Sequence, residues 1–299
     1  MGKPVRQDPE TMSWINRAFQ EQESFVEAAG FLVQKGEADA AMEIAANTWR
    51  LWIISKDLDG GRKFLANILD HTKVTPSRHR ALALYGDGLL ALKLGRLEES
   101  KERNRVALDT ARIVDDPEAF ALSNLGLSRV AFDEGRYEDA RSLASAAREY
   151  CFELDESIGQ APLHLQAQSI RMLGDYDKAV MLLTESLDLN RRIGDKGMVM
   201  VELHNLGHVE AHRGNIDAAE AYFTEAEEMG TASDPYTAAM TRLNKASTAY
   251  GRGKDEEVRA SLEDSETILR HAGIEAAHDD KFEIDWLRDR VQKLARQRD

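Results

Sequence analysis

His204, His208 and His212 recur every four residues, so their imidazoles project from one face of a helix with a slow drift around it. Three roles are open to such a row. Two imidazoles one turn apart can share a Zn²⁺ while a neighbouring element supplies a third ligand; the rings can contact a ligand through hydrogen bonds; or they can line a solvated surface. His164 lies 40 residues before His204, which gathers four of the chain's eight histidines into one patch if the chain repeats at that interval. Gln168, Arg171 and Met172 extend the same surface. The metal reading lacks support on two counts: no glutamate completes an HExxH pattern, and the only cysteine, Cys151, stands elsewhere. A histidine row without acids placed to hydrogen-bond its imidazoles is a weak metal signal. The nearby Ser, Lys and Glu residues have no spacing that would pair a nucleophile with a base, so no catalysis is expected.

Asn205 and Asn244 stand 39 residues apart, with Asn124 as a third candidate. An asparagine amide offers a donor and an acceptor, which suits it to clamp the backbone of an extended peptide irrespective of side chains. The same residues can instead meet water or bond a neighbouring helix. Gly86-Asp87-Gly88-Leu89-Leu90-Ala91 matches the dinucleotide pattern GxGxxA in form only, because it lies inside an amphipathic helix and not between a strand and a helix. Small residues there allow close helix packing. Tyr85, Leu89 and Leu92 form an apolar stretch upstream of the histidines.

The elements that must position these residues are helical hairpins. Turns at Gly95, Gly135, Gly174, Gly214 and Gly253 step by 40, 39, 40 and 39 residues, and a weaker turn at Lys56 precedes Gly95 by 39. Between turns, apolar residues recur at three and four, as in Leu203, Leu206 and Val209, which is helix periodicity and not strand alternation. Five residues after each glycine comes Ser100, Ala140, Ala179, Ala219 or Val258, small enough for the second helix to lie close against the first. Thr75-Pro76, Asp116-Pro117 and Asp234-Pro235 each predict an oxygen-bearing cap before a proline at the first helical position, and Gly194-Asp195 does similar work. The expected architecture is all-α: a right-handed solenoid of about six hairpins over 37–274, with a tail and capping helix over 1–36 and a capping helix over 275–299. One helix is expected over 38–55 and another over 279–296. Trp49, Trp52 and Phe64 are expected in the core. Ile284, Leu287, Val291 and Leu294 give the last helix an apolar stripe, while Lys281, Arg288, Arg290, Lys293, Arg296 and Arg298 give it basic residues, read as a solvated outer face or as a docking patch.

Asn205-Leu206-Gly207, then Gly214-Asn215-Ile216, then Ala219 resembles the tetratricopeptide consensus, as does Asn124-Leu125-Gly126 followed by Gly135-Arg136-Tyr137 and Ala140. With units of 39 and 40 residues the chain most resembles the long-unit tetratricopeptide region of large bacterial transcription regulators of the LuxR, MalT and AfsR type. That resemblance runs from Trp14-Ile15 through Ala45-Ala46, Trp49, Leu51-Trp52 and Gly61-Arg62-Lys63-Phe64-Leu65 to the last turn. Lys56 stands where the turn glycine is usual and Phe64 where tryptophan is, and the ATPase and helix-turn-helix parts of those regulators are absent. The resemblance to peptide-pheromone receptors of Gram-positive bacteria is smaller. Positions counted from the consensus glycine face a concave groove in such proteins. The resemblance therefore implies a peptide- or protein-binding groove at His164, Gln168, Arg171, His204, Asn205, His208, His212 and Asn244, continued by Tyr85 and Leu89.

A formal charge of −14, from 39 basic against 53 acidic residues, repels phosphate backbones and gives no steering toward nucleic acid or anionic lipid. The single cysteine rules out an intrachain disulfide. The first residues lack the apolar stretch of a signal peptide, and no apolar run reaches membrane-spanning length, so a cytoplasmic location is expected. The reading is a non-enzymatic bacterial adaptor or regulator that binds a protein or peptide and needs no cofactor. Two alternatives stand beside it: a small-molecule sensor or regulatory module of an ATPase-type transcription regulator, and a metal-dependent enzyme at the histidine row.

Overall fold

The computed structural model describes residues 16–71, 75–154, 156–230 and 234–296. After a helix α1 (Gln22–Lys35), six hairpins follow among the described residues. The first pairs α2 (Ala38–Thr48) and α3 (Arg50–Ser55) with α4 (Leu58–His71). The next five pair α5 (Arg78–Lys93) with α6 (Leu97–Val114), α7 (Pro117–Asp133) with α8 (Tyr137–Leu154), α9 (Gln160–Met172) with α10 (Tyr176–Ile193), α11 (Lys196–His212) with α12 (Ile216–Met229), and α13 (Pro235–Gly251) with α14 (Asp255–Ala272). A last helix, α15 (His278–Arg296), stands alone. Among the described residues there is no strand, as the periodicity predicts. By their contacts the residues form two compact units, Met1–Gln166 and Ala167–Asp299.

The turns work as their spacing predicts. Gly214 takes φ +81°, a left-handed conformation that reverses the chain between α11 and α12 without a Cβ clash. Lys56 adopts the same conformation at φ 61° despite its side chain, which is why the first turn carries the repeat even without glycine. Ser100, Ala140, Ala179, Ala219 and Val258 are all fully buried, so the small position marks the contact between the two helices of each hairpin. Asp116, Asp195 and Asp234 each cap a helix, accepting from the backbone N–H of Ala119, Met198 and Thr237. The cap expected at Thr75 falls two residues later: Ser77 accepts from Arg80 N at 3.1 Å, and α5 begins beyond Pro76. The helix expected over 38–55 is interrupted at Trp49 alone, whose backbone stays helical at φ −52°, ψ −28°.

In the first unit, Trp52 stacks on Phe64 with ring centroids 4.4 Å apart, and Trp49 meets Tyr85 edge-on at 5.6 Å. Gly86 and Gly88 sit where a Cβ would come within 2.6 Å of the Trp49 ring and 2.5 Å of Asn104, so the dinucleotide-like pattern is a helix-packing feature. The core of the second unit joins Ala167 and Ile170 of α9, Leu183 of α10, Leu203, Leu206 and Val209 of α11, and Ala226 of α12. A second cluster joins Leu243 and Ala246 of α13, Leu262 and Leu269 of α14, and Ile284 and Leu287 of α15. Ile284 and Leu287 of the last helix are thus buried against the final hairpin, with Val291 packed beside them; the side chain of Leu294 lies outside the described residues.

Gly207 lets α11 and α12 approach: a Cβ there would lie 2.3 Å from the ring of the buried Phe223. Gly207→Ala is expected to destabilise the chain by about 1–3 kcal/mol through overpacking, read as a lower melting temperature. A Phe223→Leu change in the same chain should recover part of that loss.

Candidate functional site

The histidine row is brought together as its spacing predicts, yet it does not line an open surface. The N-terminal half of α15 lies over the face made by the C-terminal part of α9, α11 and α13, and the contact is made by charge. Arg171 of α9 is fully buried. Its guanidinium donates to Glu283 at 2.5 Å and to Asn205 Oδ1 at 2.7 Å, and lies 3.8 Å from Asp279. Both Glu283 oxygens also lie within hydrogen-bond distance of His212 Nε2, at 3.0 and 2.9 Å. His204 Nε2 meets Asp280 Oδ1 at 2.8 Å, the Tyr236 hydroxyl of α13 donates to Asp280 Oδ2, and Gln168 donates to Asp279 at 2.6 Å. Three carboxylates from the first two turns of one helix therefore meet an arginine, two imidazoles, an amide and a phenol from three others.

His208 sits at the centre, fully buried, with its ring 4.5 Å from His204 and 5.0 Å from Phe223. The Ser247 hydroxyl donates to the Leu243 carbonyl, which leaves its oxygen to accept from His208 Nδ1 at 3.2 Å. Glu283 at 3.8 Å from the same nitrogen favours a hydrogen there. Among the described residues, His208 Nε2, Asn205 Nδ2, Asn244 Oδ1 and Arg171 Nε are buried with no hydrogen-bond partner.

Burial sets the electrostatics and the neighbours decide the sign. Burial alone would raise the Glu283 carboxyl, but Arg171, His208 and His212 hold it well below the usual carboxylate range. For Asp280 burial again pushes upward, and His204 with the Tyr236 hydroxyl outweighs it, bringing the group down to about 2. Arg171 is pushed down by burial and carried above its ordinary value by Glu283 and Asp279. His208 moves the other way: burial takes it well below the usual histidine value, against the pull of Glu283. Burial raises the Tyr236 hydroxyl, and Asp280 raises it further.

Of the residues expected to line a groove, Gln168, Arg171, His204, Asn205, His208 and His212 belong to this cluster. Asn244, on α13 beside it, is only 4% exposed. The asparagines are thus turned inward, and Asn124 of the first unit bonds the Phe120 carbonyl of its own helix at 2.9 Å. His164, Tyr85 and Leu89 belong to the first unit; Tyr85 is buried, with its hydroxyl accepting from Arg129 at 3.0 Å, and His164 and Leu89 are half-buried. Among the described residues no three His, Cys, Asp or Glu side chains converge as a metal site. Sequence reasoning missed Asp279, Asp280, Glu283 and Tyr236. A signal was there: Asp280, Glu283, Ile284 and Leu287 follow i, i+3, i+4, i+7, so two acids share the stripe that an amphipathic helix buries. Four basic residues of α15 are satisfied locally: Lys281 pairs with Asp285, Lys293 with Asp289, Arg288 with Asp285 and Glu266, and Arg290 lies over the Trp286 ring at 4.1 Å; the side chain of Arg296 lies outside the described residues. Arg298 lies outside the described residues.

Residues 160–231 match the tetratricopeptide repeat family model. Three solved structures share the fold. A signal transduction ATPase with numerous domains and a tetratricopeptide repeat sensor, from Pyrococcus horikoshii, has a TM-score of 0.63 at 14% identity, covering 85% of this chain and 39% of that one. A Rap protein complexed with competence and sporulation factor has a TM-score of 0.58 at 16% identity, covering 84% and 77%. PilF of Pseudomonas aeruginosa has a TM-score of 0.56 at 13% identity, covering 82% and 97%. No curated protein sequence matches the chain.

Removing one partner of the buried ion pair leaves the other uncompensated, so Glu283→Gln is expected to cost about 3–5 kcal/mol by denaturant unfolding. The pH dependence has two parts. The unfolded chain protonates His208 near pH 6.5, while the folded chain, with Arg171 and His204 facing that ring alongside Asp280 and Glu283, resists until well below it. Stability contributed there is complete above about pH 6.5 and falls as pH drops below that value. Asp280 and Glu283 act lower: their contribution is complete above about pH 4.5 and is lost as pH falls through their depressed folded values. Melting temperature should therefore decline from pH 7 to 5, and His208→Asn should flatten that decline while leaving the steeper loss below about pH 4.

Proposed function

We propose that this tetratricopeptide-repeat chain is a non-enzymatic adaptor or regulatory protein that binds a peptide or protein segment against the first helices of its hairpins. One observation carries the reading: on the second unit that face already takes a polypeptide helix, α15, through Asp280 and Glu283 against Arg171, His204 and His212. A surface built to hold one helix by side-chain charge is suited to hold another. The Rap protein of the same fold, complexed with competence and sporulation factor, gives the reading a precedent in kind. Against catalysis stand the imidazoles engaged with carboxylates and a hydroxyl, and a Cys151 thiol that burial pushes up to about 12, far from a working nucleophile. The charge of −14 argues against nucleic acid as partner. No helix among the described residues is long and apolar enough to cross a membrane, and we place the protein in the cytoplasm.

The test is photocrosslinking in the host. A photoactivatable amino acid at Leu89 or His164, on first helices, is expected to form adducts with a partner protein, while one at the exposed Glu228 of α12 is not. Adducts from Glu228 alone would move the interface to the second helices.

A further inference from the structure

On the first unit the corresponding face carries cations that pair with no carboxylate among the described residues. Six residues before each turn stand Arg50, Leu89 and Arg129 in the first unit, against Gln168, His208 and Ser247 in the second. Ten residues before the turns, Tyr85 corresponds to His204, and two residues before, Lys93 corresponds to His212. Tyr85 ties the group together. Its ring meets Trp49 edge-on, the Arg50 guanidinium lies 4.2 Å over that same Trp49 ring, and Arg129 donates to the Tyr85 hydroxyl at 3.0 Å. Lys93 follows Tyr85 and Leu89 at i+8 and i+4 on one face of α5. Among the described residues none of the three cations has a carboxylate within salt-bridge distance; Glu118, which attracts Arg50 from farther off, is held by Arg78. Burial, with Arg129 beside them, pushes both Arg50 and Lys93 below their ordinary values. Like charges gathered without counter-ions oppose folding. Folding alone gives no reason for three cations to gather with no carboxylate of the described residues in salt-bridge contact.

We infer that Arg50, Lys93 and Arg129 form a recognition site for an acidic helix of a partner protein, whose carboxylates take the places that Asp280 and Glu283 of α15 take on the second unit. This rests on the proposed binding of a protein segment and gives that segment its chemistry. The three cations stand on α3, α5 and α7, one on each of three successive first helices, so they suit a row of carboxylates better than one compact anion. The half-buried Leu89, on the same face of α5 as Lys93, offers apolar surface to the aliphatic parts of a helix. A long polyanion such as nucleic acid would meet the repulsion of the remaining surface.

The test uses the full chain and a fluorescein-labelled, alanine-based helical peptide with glutamates at i, i+4 and i+8, beside a glutamine counterpart. At low ionic strength the glutamate peptide is expected to bind and the glutamine peptide not to. The Arg50→Gln, Lys93→Gln, Arg129→Gln triple variant should weaken binding by about tenfold or more, while Lys281→Gln with Lys293→Gln leaves it unchanged. Should the triple variant lose its helical circular dichroism, the single change at the exposed Lys93 carries the test, with a loss of about threefold expected. Binding that ignores these changes, or inorganic phosphate or a single-stranded oligonucleotide outcompeting the glutamate peptide, overturns the inference. Leu89 adducts that persist in a folded triple variant would sink the acidic site and keep the protein-segment reading. Absence of any Leu89 or His164 adduct in the unaltered chain would sink that reading instead.

Discussion

The second unit depends on one buried ion pair, Arg171 with Glu283. Taking a guanidinium and a carboxylate out of water costs several kcal/mol for each, and the mutual attraction offsets this only when further hydrogen bonds satisfy the remaining donors and acceptors. Gln168, Asn205 and His212 supply most of them here, leaving the buried Arg171 Nε without a partner. Their positions demand in turn that α9, α11 and α15 keep their registers, since a shift of one residue would turn any of these side chains off the shared face. The apolar contacts of Ile284 and Leu287 hold α15 to the last hairpin, and the charges fix how it lies there. A helix held by apolar contact alone could slide or rotate; one held by Asp280 and Glu283 as well has a single seat.

The two units treat the same repeat positions differently. In the second they carry Gln168, His208, His204 and His212, mostly neutral or conditionally charged groups, and these meet acids supplied by the chain itself. In the first they carry Arg50 and Arg129, which meet a tryptophan face and an aromatic hydroxyl, together with Lys93. Satisfied and unsatisfied versions of one chemical arrangement thus occur on one chain.

Much of this was legible in the residues. Turn glycines reveal themselves because the reversal needs a left-handed residue, and the small residue five positions on reveals itself because two helix backbones approach there. The row at 204, 208 and 212 was legible for a similar local reason, since spacing within a helix sets which side chains share a face. Local spacing cannot say what covers that face. The acids that do so come from 71 to 112 residues away, and nothing in the periodicity of α11 points to them. Asp280 and Glu283 were nonetheless visible as acids on an apolar stripe, and Lys56 shows the opposite failure, a residue whose type argues against the turn it makes. At Thr75 the pattern of cap and proline was right in kind but two residues early, because Ser77 offered an equivalent oxygen at the place where the helix begins.

Arg171 and Glu283 are separated by 112 residues of chain, which bears on how the protein is born. Repeat arrays otherwise assemble from neighbour contacts and can order themselves as the chain emerges. At ribosomal speeds of about 5–20 residues per second, roughly 6 to 20 s pass between the synthesis of Arg171 and that of its counter-ion. Through that interval the Arg171 guanidinium has no acid from α15 to meet it, so the nascent second unit holds that charge without its counter-ion. Any acidic segment encountered then meets the site before its own helix does, which makes the order of synthesis itself a determinant of what that face first binds.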